Sequence, residues 1–150
     1  MSQGYWLVKS EPYKYSWDQL VADGRTYWDG VRNYEARNNL AAMKKGDLSL
    51  YYHSNVGKEV VGVARVVAES YQDPTTKDDR WVVVDFEPVV AFETPVTLAT
   101  IKADAKLAEI SLVKRSRLSV VPIEKKEFQY ILKLGKTKLP AASRSRRQPR

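Results

Sequence analysis

The sequence contains no cysteine and a single histidine, His53, among its 150 residues. Without cysteine, the chain can form no disulfide bond and perform no thiol chemistry. Zinc sites take most of their ligands from cysteine and histidine, so this composition excludes the common zinc sites. We therefore expect the protein to work without a metal ion or other cofactor.

Long apolar runs are also missing. No run of about 18 apolar residues is present, so we expect no membrane-spanning helix and no membrane partner. The N-terminal residues lack the basic and apolar segments of a secretory signal, which we interpret as absent. Seven glycines, seven prolines and 43% apolar residues are ordinary globular values. These features predict one soluble intracellular domain, cytoplasmic or, in a eukaryote, nuclear.

The net charge of +7 is confined to one end of the chain. Residues 1–132 contain 18 basic and 18 acidic residues, whereas residues 133–150 contain seven basic residues and no acid. We predict a neutral domain over 1–135 and a basic, disordered tail over 136–150. The tail fits either salt-dependent attraction of phosphate or a solvated terminus without a binding role.

Signatures of common enzymes are absent. The sequence has no Gly-x-Ser-x-Gly elbow, no P-loop and no Gly-x-Gly-x-x-Gly motif. His53 is followed by Ser54, but neighbouring side chains on an extended strand point to opposite faces and do not form a nucleophile–base pair. We interpret the protein as non-enzymatic, with chemistry at His53 as the enzymatic alternative.

Apolar periodicity and turn residues predict interspersed strands and helices. The predicted strands are 5–9, 26–28, 47–53, 60–67, 81–92 and 116–123, and the predicted helices are 17–22, 34–43 and 124–134, with further helical stretches between 95 and 110. This order indicates an α+β fold with one curved sheet or small barrel flanked by helices.

The stretch from Trp28 to Asn39 combines an indole, a glycine turn, two arginines and three asparagines. Such residues suit stacking and edge contacts with a planar ligand such as a nucleobase. Trp28 fits either a pocket wall or the core, and Asn33 fits either a ligand contact or the cap of the next helix. Asn38 and Asn39 are poor helix-interior residues, which favours one of them facing a polar site.

Long motifs of unusual composition follow one another along the body of the chain. They are Tyr5–Pro12, Tyr15–Asp18, Trp28–Asn38, Gly46–Asp47, Leu50–Asn55, Val61–Ala64, Asp73–Thr75, Arg80–Trp81, Pro95–Leu98 and Ser116–Val120. In this order they resemble the EVE domain family, a relative of the YTH and ASCH domains. The resemblance implies a PUA-like fold, which is a mixed β-barrel flanked by helices.

The resemblance also implies a function and a site. It implies a non-enzymatic reader of a modified base in DNA or RNA, such as 5-methyl- or 5-hydroxymethylcytosine, and we expect the protein to be a monomer. Lys9 and Ser10 would then lie at the pocket, with Trp28 as its first aromatic wall. The other implied ligand-binding residues are Asn33, Tyr34, Asn38, Tyr52, His53, Ser54, Asn55 and Trp81, and the candidates for phosphate contacts are Arg32, Arg37 and Arg117.

Three points stay open from the sequence. The loop between Asp73 and Arg80 is shorter than in many family members, so the second aromatic wall falls to Trp81, Tyr71 or Trp17. The runner-up function is an enzyme that acts on a modified nucleotide or small molecule through His53 and a water molecule. A third possibility is a module that presents its pocket to another protein.

Overall fold

The structure, a computed structural model, describes residues 4–140, which form six strands and five α-helices. In chain order these are β1 (Tyr5–Ser10), α1 (Trp17–Asp23), β2 (Thr26–Tyr27), α2 (Tyr34–Ala42), β3 (Leu48–His53), β4 (Glu59–Gln72), β5 (Val82–Thr97), α3 (Leu98–Ala103), α4 (Ser111–Lys114), β6 (Val120–Pro122) and α5 (Lys125–Leu134). Within these residues, no helix has the length and apolar character needed to cross a membrane.

The strands form one mixed sheet in the order β2-β5-β4-β3-β1-β6. Strand β1 runs parallel to β3 and antiparallel to β6, and the remaining neighbours are antiparallel. Four register shifts interrupt the β4–β5 pairing, and such irregularities bend and twist a sheet. The predicted α+β class is confirmed.

Helix α2 lies between the two edges of the curved sheet. The edge strands β2 and β6 do not pair within the described residues, so the hydrogen-bonded sheet is open. Helix α2 contacts β6 at one edge and β5 near the other. The sheet therefore curves around this helix, which buries Ala36 and Leu40 against it. The result is the barrel-like, helix-flanked arrangement implied by the PUA-like resemblance.

Two predicted boundaries differ from the structure, each for a local reason. Strand β5 continues to Thr97, although the sequence predicted a helical segment from Pro95. Beyond Phe86, β4 is the only strand that pairs with β5, and proline is tolerated on the side of a strand that has no paired strand. Strand β6 covers only Val120–Pro122 of the predicted strand 116–123. The carbonyl of Ser116 instead accepts a hydrogen bond from a lysine side chain.

Packing continues past residue 135, the predicted end of the domain. Thr137 is buried, and its hydroxyl accepts a hydrogen bond from the Glu93 N–H (2.9 Å) and donates one to the Gly135 carbonyl (2.8 Å). Residues 136–140, which the sequence assigned to the tail, therefore begin against the body of the protein. The rest of the predicted tail, residues 141–150, lies outside the described residues.

Candidate functional site

A cleft of about 590 Å³ opens where three segments meet at the end of β1. The segments are the β1–α1 connection, the loop between β2 and α2, and the loop between α4 and β6. Six of the residues predicted from the sequence line this cleft, namely Lys9, Ser10, Trp28, Arg32, Ser54 and Arg117. Its lining also includes tyrosines, serines and charged side chains that the sequence did not single out, among them Lys14, Tyr15, Tyr27, Ser116 and Ser119.

Trp28 belongs to both the core and the cleft. Its side chain is only 8% exposed and meets the rings of Tyr15, Tyr51 and Phe86 edge-on, at centroid distances of 6.4, 5.5 and 5.6 Å. Its backbone N–H donates to the Val84 carbonyl at 2.8 Å, which ties the start of the loop to β5. The two roles left open by the sequence are therefore combined in one ring.

Tyr15 and Tyr27 add aromatic surface to the cleft. Tyr27 is 43% exposed, whereas Tyr15 is half-buried, and its hydroxyl donates to Asp23 at 2.7 Å. Burial, supported by the nearby Asp23 carboxylate, raises the pKa of the Tyr15 phenol to about 12. Tyr15 therefore keeps its proton at physiological pH. The sequence signal that could have identified Tyr27 as a cleft residue is its position beside Trp28 in a short predicted strand.

Lys9 is a cation that lines the cleft at the end of β1. Its ammonium group donates to the backbone carbonyls of Ser116 (3.0 Å) and Arg115 (3.4 Å). Burial lowers the pKa of Lys9 from 10.5 to about 8. Among the described residues these two carbonyls are its only acceptors, which leaves one N–H for a ligand.

Asp73 fixes the β2–α2 loop, which forms one wall of the cleft. Its buried carboxylate accepts hydrogen bonds from the Gly30 N–H (3.1 Å), the Arg32 guanidinium (3.0 Å), and the N–H (2.7 Å) and hydroxyl (2.5 Å) of Thr75. Burial would raise the pKa of Asp73, but the hydrogen bonds from Thr75, Gly30 and Arg32 outweigh it and lower the pKa to about 2. The wall is therefore held by an ionised carboxylate throughout the physiological range.

Gly30 supplies the backbone conformation that this wall needs. Its φ of +79° lies in the left-handed region, which a side chain would disfavour. This turn directs the Gly30 N–H toward Asp73, so the glycine and the aspartate act together in shaping the loop.

Most of the predicted asparagines have structural roles outside the cleft. Asn33 caps α2 by accepting a hydrogen bond from the Ala36 N–H at 2.9 Å. Asn38 accepts hydrogen bonds from the guanidinium of Arg37 at 2.7 and 3.0 Å. Asn55 adopts a positive φ of 69° and donates to Glu11 at 3.2 Å. None of the three lines the cleft.

The predicted aromatic residues outside the cleft pack against protein groups. Tyr34 and Trp81 pack on each other with ring centroids 5.2 Å apart and ring planes tilted by 34°, and Tyr52 is buried in the core. Trp17, a candidate for the second wall, packs on Tyr51 and so close to Gly62 that a Cβ there would lie 2.6 Å from its ring. Tyr71, the remaining candidate, donates its hydroxyl to Asp85. The structure places none of these rings in the cleft.

His53 is engaged with helix α1 and does not line the cleft. Its Nε2 accepts a hydrogen bond from the Trp17 N–H at 3.0 Å, so the proton of the neutral ring is on Nδ1. Burial lowers the pKa of His53, although Asp18 and Glu59 oppose the shift. The geometry gives this histidine the role of a helix cap.

The three candidate phosphate-binding arginines differ in availability. Arg32 pairs with Asp73, and Arg37 donates to Asn38 and to the carbonyl of Arg80. Arg117 is exposed, lines the cleft, and has no hydrogen-bond or ion-pair partner among the described residues. Arg117 is therefore the arginine best placed to contact a ligand.

The structure also bears on metal binding. Residues 4–140 contain no group of three or more histidine, cysteine, aspartate or glutamate side chains arranged to hold a metal ion. The polar groups that line the cleft are hydroxyls, ammonium and guanidinium groups, the carboxylates of Glu11 and Asp29, and backbone atoms, and such a mixture suits an organic ligand.

Known proteins are similar to this chain in sequence and in fold. Mouse thymocyte nuclear protein 1 is 35% identical over 167 residues, covering 89% of this chain and 74% of the mouse protein. An Agrobacterium tumefaciens crystal structure has a TM-score of 0.88 at 44% identity, covering 91% of this chain and 99% of the other. Human THYN1, solved in complex with 5-methylcytosine-containing DNA, has a TM-score of 0.83 at 33% identity, with the same coverage.

A more distant similarity concerns the fold alone. The YTH domain of a Zygosaccharomyces rouxii protein, solved with N6-methyladenosine RNA, has a TM-score of 0.56 at 14% identity, covering 92% of this chain and 89% of the other. Residues 4–134 match the EVE domain. The predicted resemblance is confirmed: the chain belongs to the EVE domain family.

Proposed function

We propose that the protein is a non-enzymatic module that binds nucleic acid by receiving one modified base in the cleft. The observation that carries this proposal is the composition of the cleft, where aromatic surface, the Lys9 ammonium and the exposed Arg117 guanidinium surround about 590 Å³. A space of this size is typical of small-ligand sites. The complex of human THYN1 with 5-methylcytosine-containing DNA supports the same function for this chain.

Each kind of side chain in the cleft has a task in this proposal. Trp28 and Tyr27 contact the apolar face and the added methyl or hydroxymethyl group of the base. The free N–H of Lys9 donates to a base acceptor such as the cytosine carbonyl, with the hydroxyls of Ser10 and Ser54 nearby. Arg117 contacts a phosphate outside the cleft, because phosphate contacts position a strand while base contacts specify it.

The proposal requires the base to leave its stack. Unstacking and unpairing cost a few kcal/mol in a duplex and less in a single strand. Contact with an aromatic side chain returns about 1–3 kcal/mol per base. We therefore expect single-stranded or mismatched ligands to bind more tightly than fully paired duplexes with the same modified base.

The enzymatic alternative at His53 gains no support from the geometry. The Nε2 lone pair is used by the Trp17 N–H, and the ring lies outside the cleft lining. A base that removes a proton from a ligand must lie within hydrogen-bond reach of it. We therefore keep the non-enzymatic function. Two further predictions are independent of His53: the protein is a monomer, and it is located in the cytoplasm or, in a eukaryote, in the nucleus.

A binding screen tests the proposed function. Fluorescence anisotropy would compare single- and double-stranded DNA and RNA carrying 5-methylcytosine, 5-hydroxymethylcytosine, N6-methyladenosine or no modification. We expect at least one modified ligand to bind more tightly than its unmodified counterpart, and Tyr27→Ala to reduce this preference. Tyr13→Ala is the matched control, because Tyr13 is an exposed tyrosine that does not line the cleft. Equal affinity for every modified and unmodified pair would overturn the proposal.

A further inference from the structure

A second depression lies beside the cleft, on the other side of the α4–β6 loop. This side groove, of about 280 Å³, is lined by Asn33, Glu35 and residues 114–118. Ser116 and Arg117 line both the cleft and the side groove. A ligand that extends out of the cleft over these two residues therefore enters the side groove.

Positive charge is concentrated at this loop, although the body as a whole is neutral. Residues 110–123 contain Lys114, Arg115 and Arg117 and no acidic residue. All three side chains are exposed and lie along the side groove. A phosphodiester strand is bound mainly by Lys and Arg contacts of this kind.

The cations of the side groove are held at a fixed position relative to the cleft. The ammonium group of Lys9 donates to the carbonyls of Arg115 and Ser116, and the Lys9 N–H donates to the Ser119 carbonyl at 3.0 Å. The same lysine lines the cleft. One residue thus connects the base-sized space to the backbone of the cationic loop.

Two of the three cations already have anionic partners from the protein. Arg115 donates to both oxygens of Glu35, at 2.7 and 2.5 Å, and Lys114 pairs with Glu109 at 3.3 Å. The side chains of Arg115 and Glu35 are about half exposed, at 50% and 49%. Exposed ion pairs of this kind contribute little stability, so a phosphate can exchange with the carboxylate at small cost.

We propose that the side groove binds a phosphodiester of the strand whose modified base occupies the cleft, and that Glu35 competes with this phosphate for Arg115. Arg117 contacts the strand as it leaves the cleft, and Arg115 turns from the Glu35 carboxylate to a phosphate oxygen. A guanidinium can donate two parallel hydrogen bonds to either anion, so the exchange keeps its geometry. This inference rests on the proposed function of the cleft.

The competition makes two substitutions act in opposite directions. Using a single-stranded DNA oligonucleotide with one 5-methylcytosine, we expect Arg115→Gln to lower affinity about 3- to 10-fold. It should also flatten the dependence of log K on log salt by about 0.7, the value for one phosphate contact in a single strand. Glu35→Gln should raise affinity a few-fold, since Arg115 is then free. Preference for the modified base should change in neither variant.

Matched controls separate a local contact from general charge effects. Glu87→Gln removes an acidic partner of Arg65 on the sheet, and Lys126→Gln removes an exposed cation of α5 that pairs with Glu124. Neither residue lines the cleft or the side groove. The change in affinity caused by each control variant should be less than about half of the change caused by the corresponding groove variant. Thermal melts should show that all four variants are folded.

A neutral backbone linkage identifies the contact directly. Methylphosphonate linkages would be placed singly at positions on either side of the modified base. At one of these positions we expect the wild type to lose affinity while Arg115→Gln loses little more, because the contact is already gone. If Arg115→Gln loses as much as the wild type at every position, or binds the native strand as tightly, the side groove is not a phosphate site.

The two proposals can fail separately. If the wild type prefers the modified base but the groove variants bind as it does, the inference about the side groove is overturned and the function of the cleft stands. If no modified ligand is preferred over its unmodified counterpart, the proposed function fails and this inference fails with it.

Discussion

Trp28 is the residue at which stability and ligand binding meet. Its ring packs edge-on against Tyr15, Tyr51 and Phe86, and its edge also borders the cleft. Truncating a buried tryptophan to alanine leaves a cavity and costs about 3–5 kcal/mol. A loss of binding in such a variant would not by itself identify a ligand contact.

The first prediction uses two substitutions at this position. Trp28→Ala should lower the free energy of unfolding by about 3–5 kcal/mol, measured by urea titration, and abolish modified-base binding. Trp28→Phe should keep much more of the stability and still weaken binding, because the smaller ring withdraws from the cleft. Wild-type stability in Trp28→Ala would contradict the packing described above.

Lys9 provides the second prediction, which concerns pH. If its ammonium group donates to the base, affinity should fall as pH rises through about 8, the pKa to which burial lowers this lysine. Lys9→Met should bind more weakly at pH 7 and show no such step. A step of the same size in Lys9→Met would assign the titration to another group.

As pH rises, the contribution of Lys9 to stability should change in the direction opposite to its contribution to affinity. Its pKa is lowered on folding, from 10.5 to about 8. Between these values the unfolded chain holds a proton that the folded protein has released, so the contribution of Lys9 to the free energy of unfolding rises with pH. A falling affinity together with this rise distinguishes lost donation from general unfolding at alkaline pH.

At the scale of elements, helix α1 depends on a histidine from β3. The Nε2 of His53 accepts from the Trp17 N–H, and the Ser16 hydroxyl accepts from the Gln19 N–H, so two donors at the start of the helix are satisfied. Protonation of His53 would turn its acceptor into a donor that faces another donor.

The third prediction follows from this cap. Because folding lowers the pKa of His53 below 6.5, its contribution to stability is present above pH 6.5 and is lost as pH falls through the folded pKa. His53→Gln should retain an acceptor near the Trp17 N–H and lose less stability between pH 7 and 5, as measured by urea unfolding. Equal acid sensitivity in both proteins would mean that carboxylates alone determine this range.

Local signals predicted many of the elements. The capping pattern around Ser16 and the asparagine at 33 identified the starts of α1 and α2, and the asparagine proved to be the cap. The limit of β6 could not be predicted, because the carbonyl of Ser116 is bound by Lys9 from the other end of the chain. Such a contact leaves no periodic signal in the sequence.

Part of the candidate site was also predictable from local signals, and part depended on tertiary contacts. Lys9, Ser10 and Trp28 follow from motifs next to strands, and all three line the cleft. Tyr34 and Trp81 are aromatic residues equally suited to a pocket, but Tyr34 begins α2, Trp81 precedes β5, and their rings pack on each other. Which aromatic residues pair with one another depends on the tertiary fold.

At the scale of the whole molecule, the net positive charge is concentrated in the C-terminal residues of the sequence. Residues 1–132 carry equal numbers of basic and acidic side chains, so recognition by the body depends on where the cations of the side groove are placed and not on net charge. Residues 141–150 add four arginines and no acid. Such a segment increases attraction to any polyanion, with strong salt dependence.

The fourth prediction concerns this segment. Removing residues 141–150 retains Thr137 and its contacts with the body, and should therefore leave the melting temperature nearly unchanged. Affinity for unmodified oligonucleotides should fall and its salt dependence should flatten, as measured by anisotropy at several salt concentrations. The ratio of modified to unmodified affinity should stay the same. A change in that ratio would show that the tail takes part in recognition.

The pairing of β1 with both β3 and β6 has a consequence for how the protein is made. The strand that carries Lys9 and Ser10 leaves the ribosome before every other strand of the sheet, whereas its antiparallel partner at Val120–Pro122 emerges after all of them. Contacts between distant parts of a chain form slowly because a long loop must close first. The cleft therefore cannot be completed on a nascent chain that lacks β6, and binding activity should arise only after almost the entire domain has been translated.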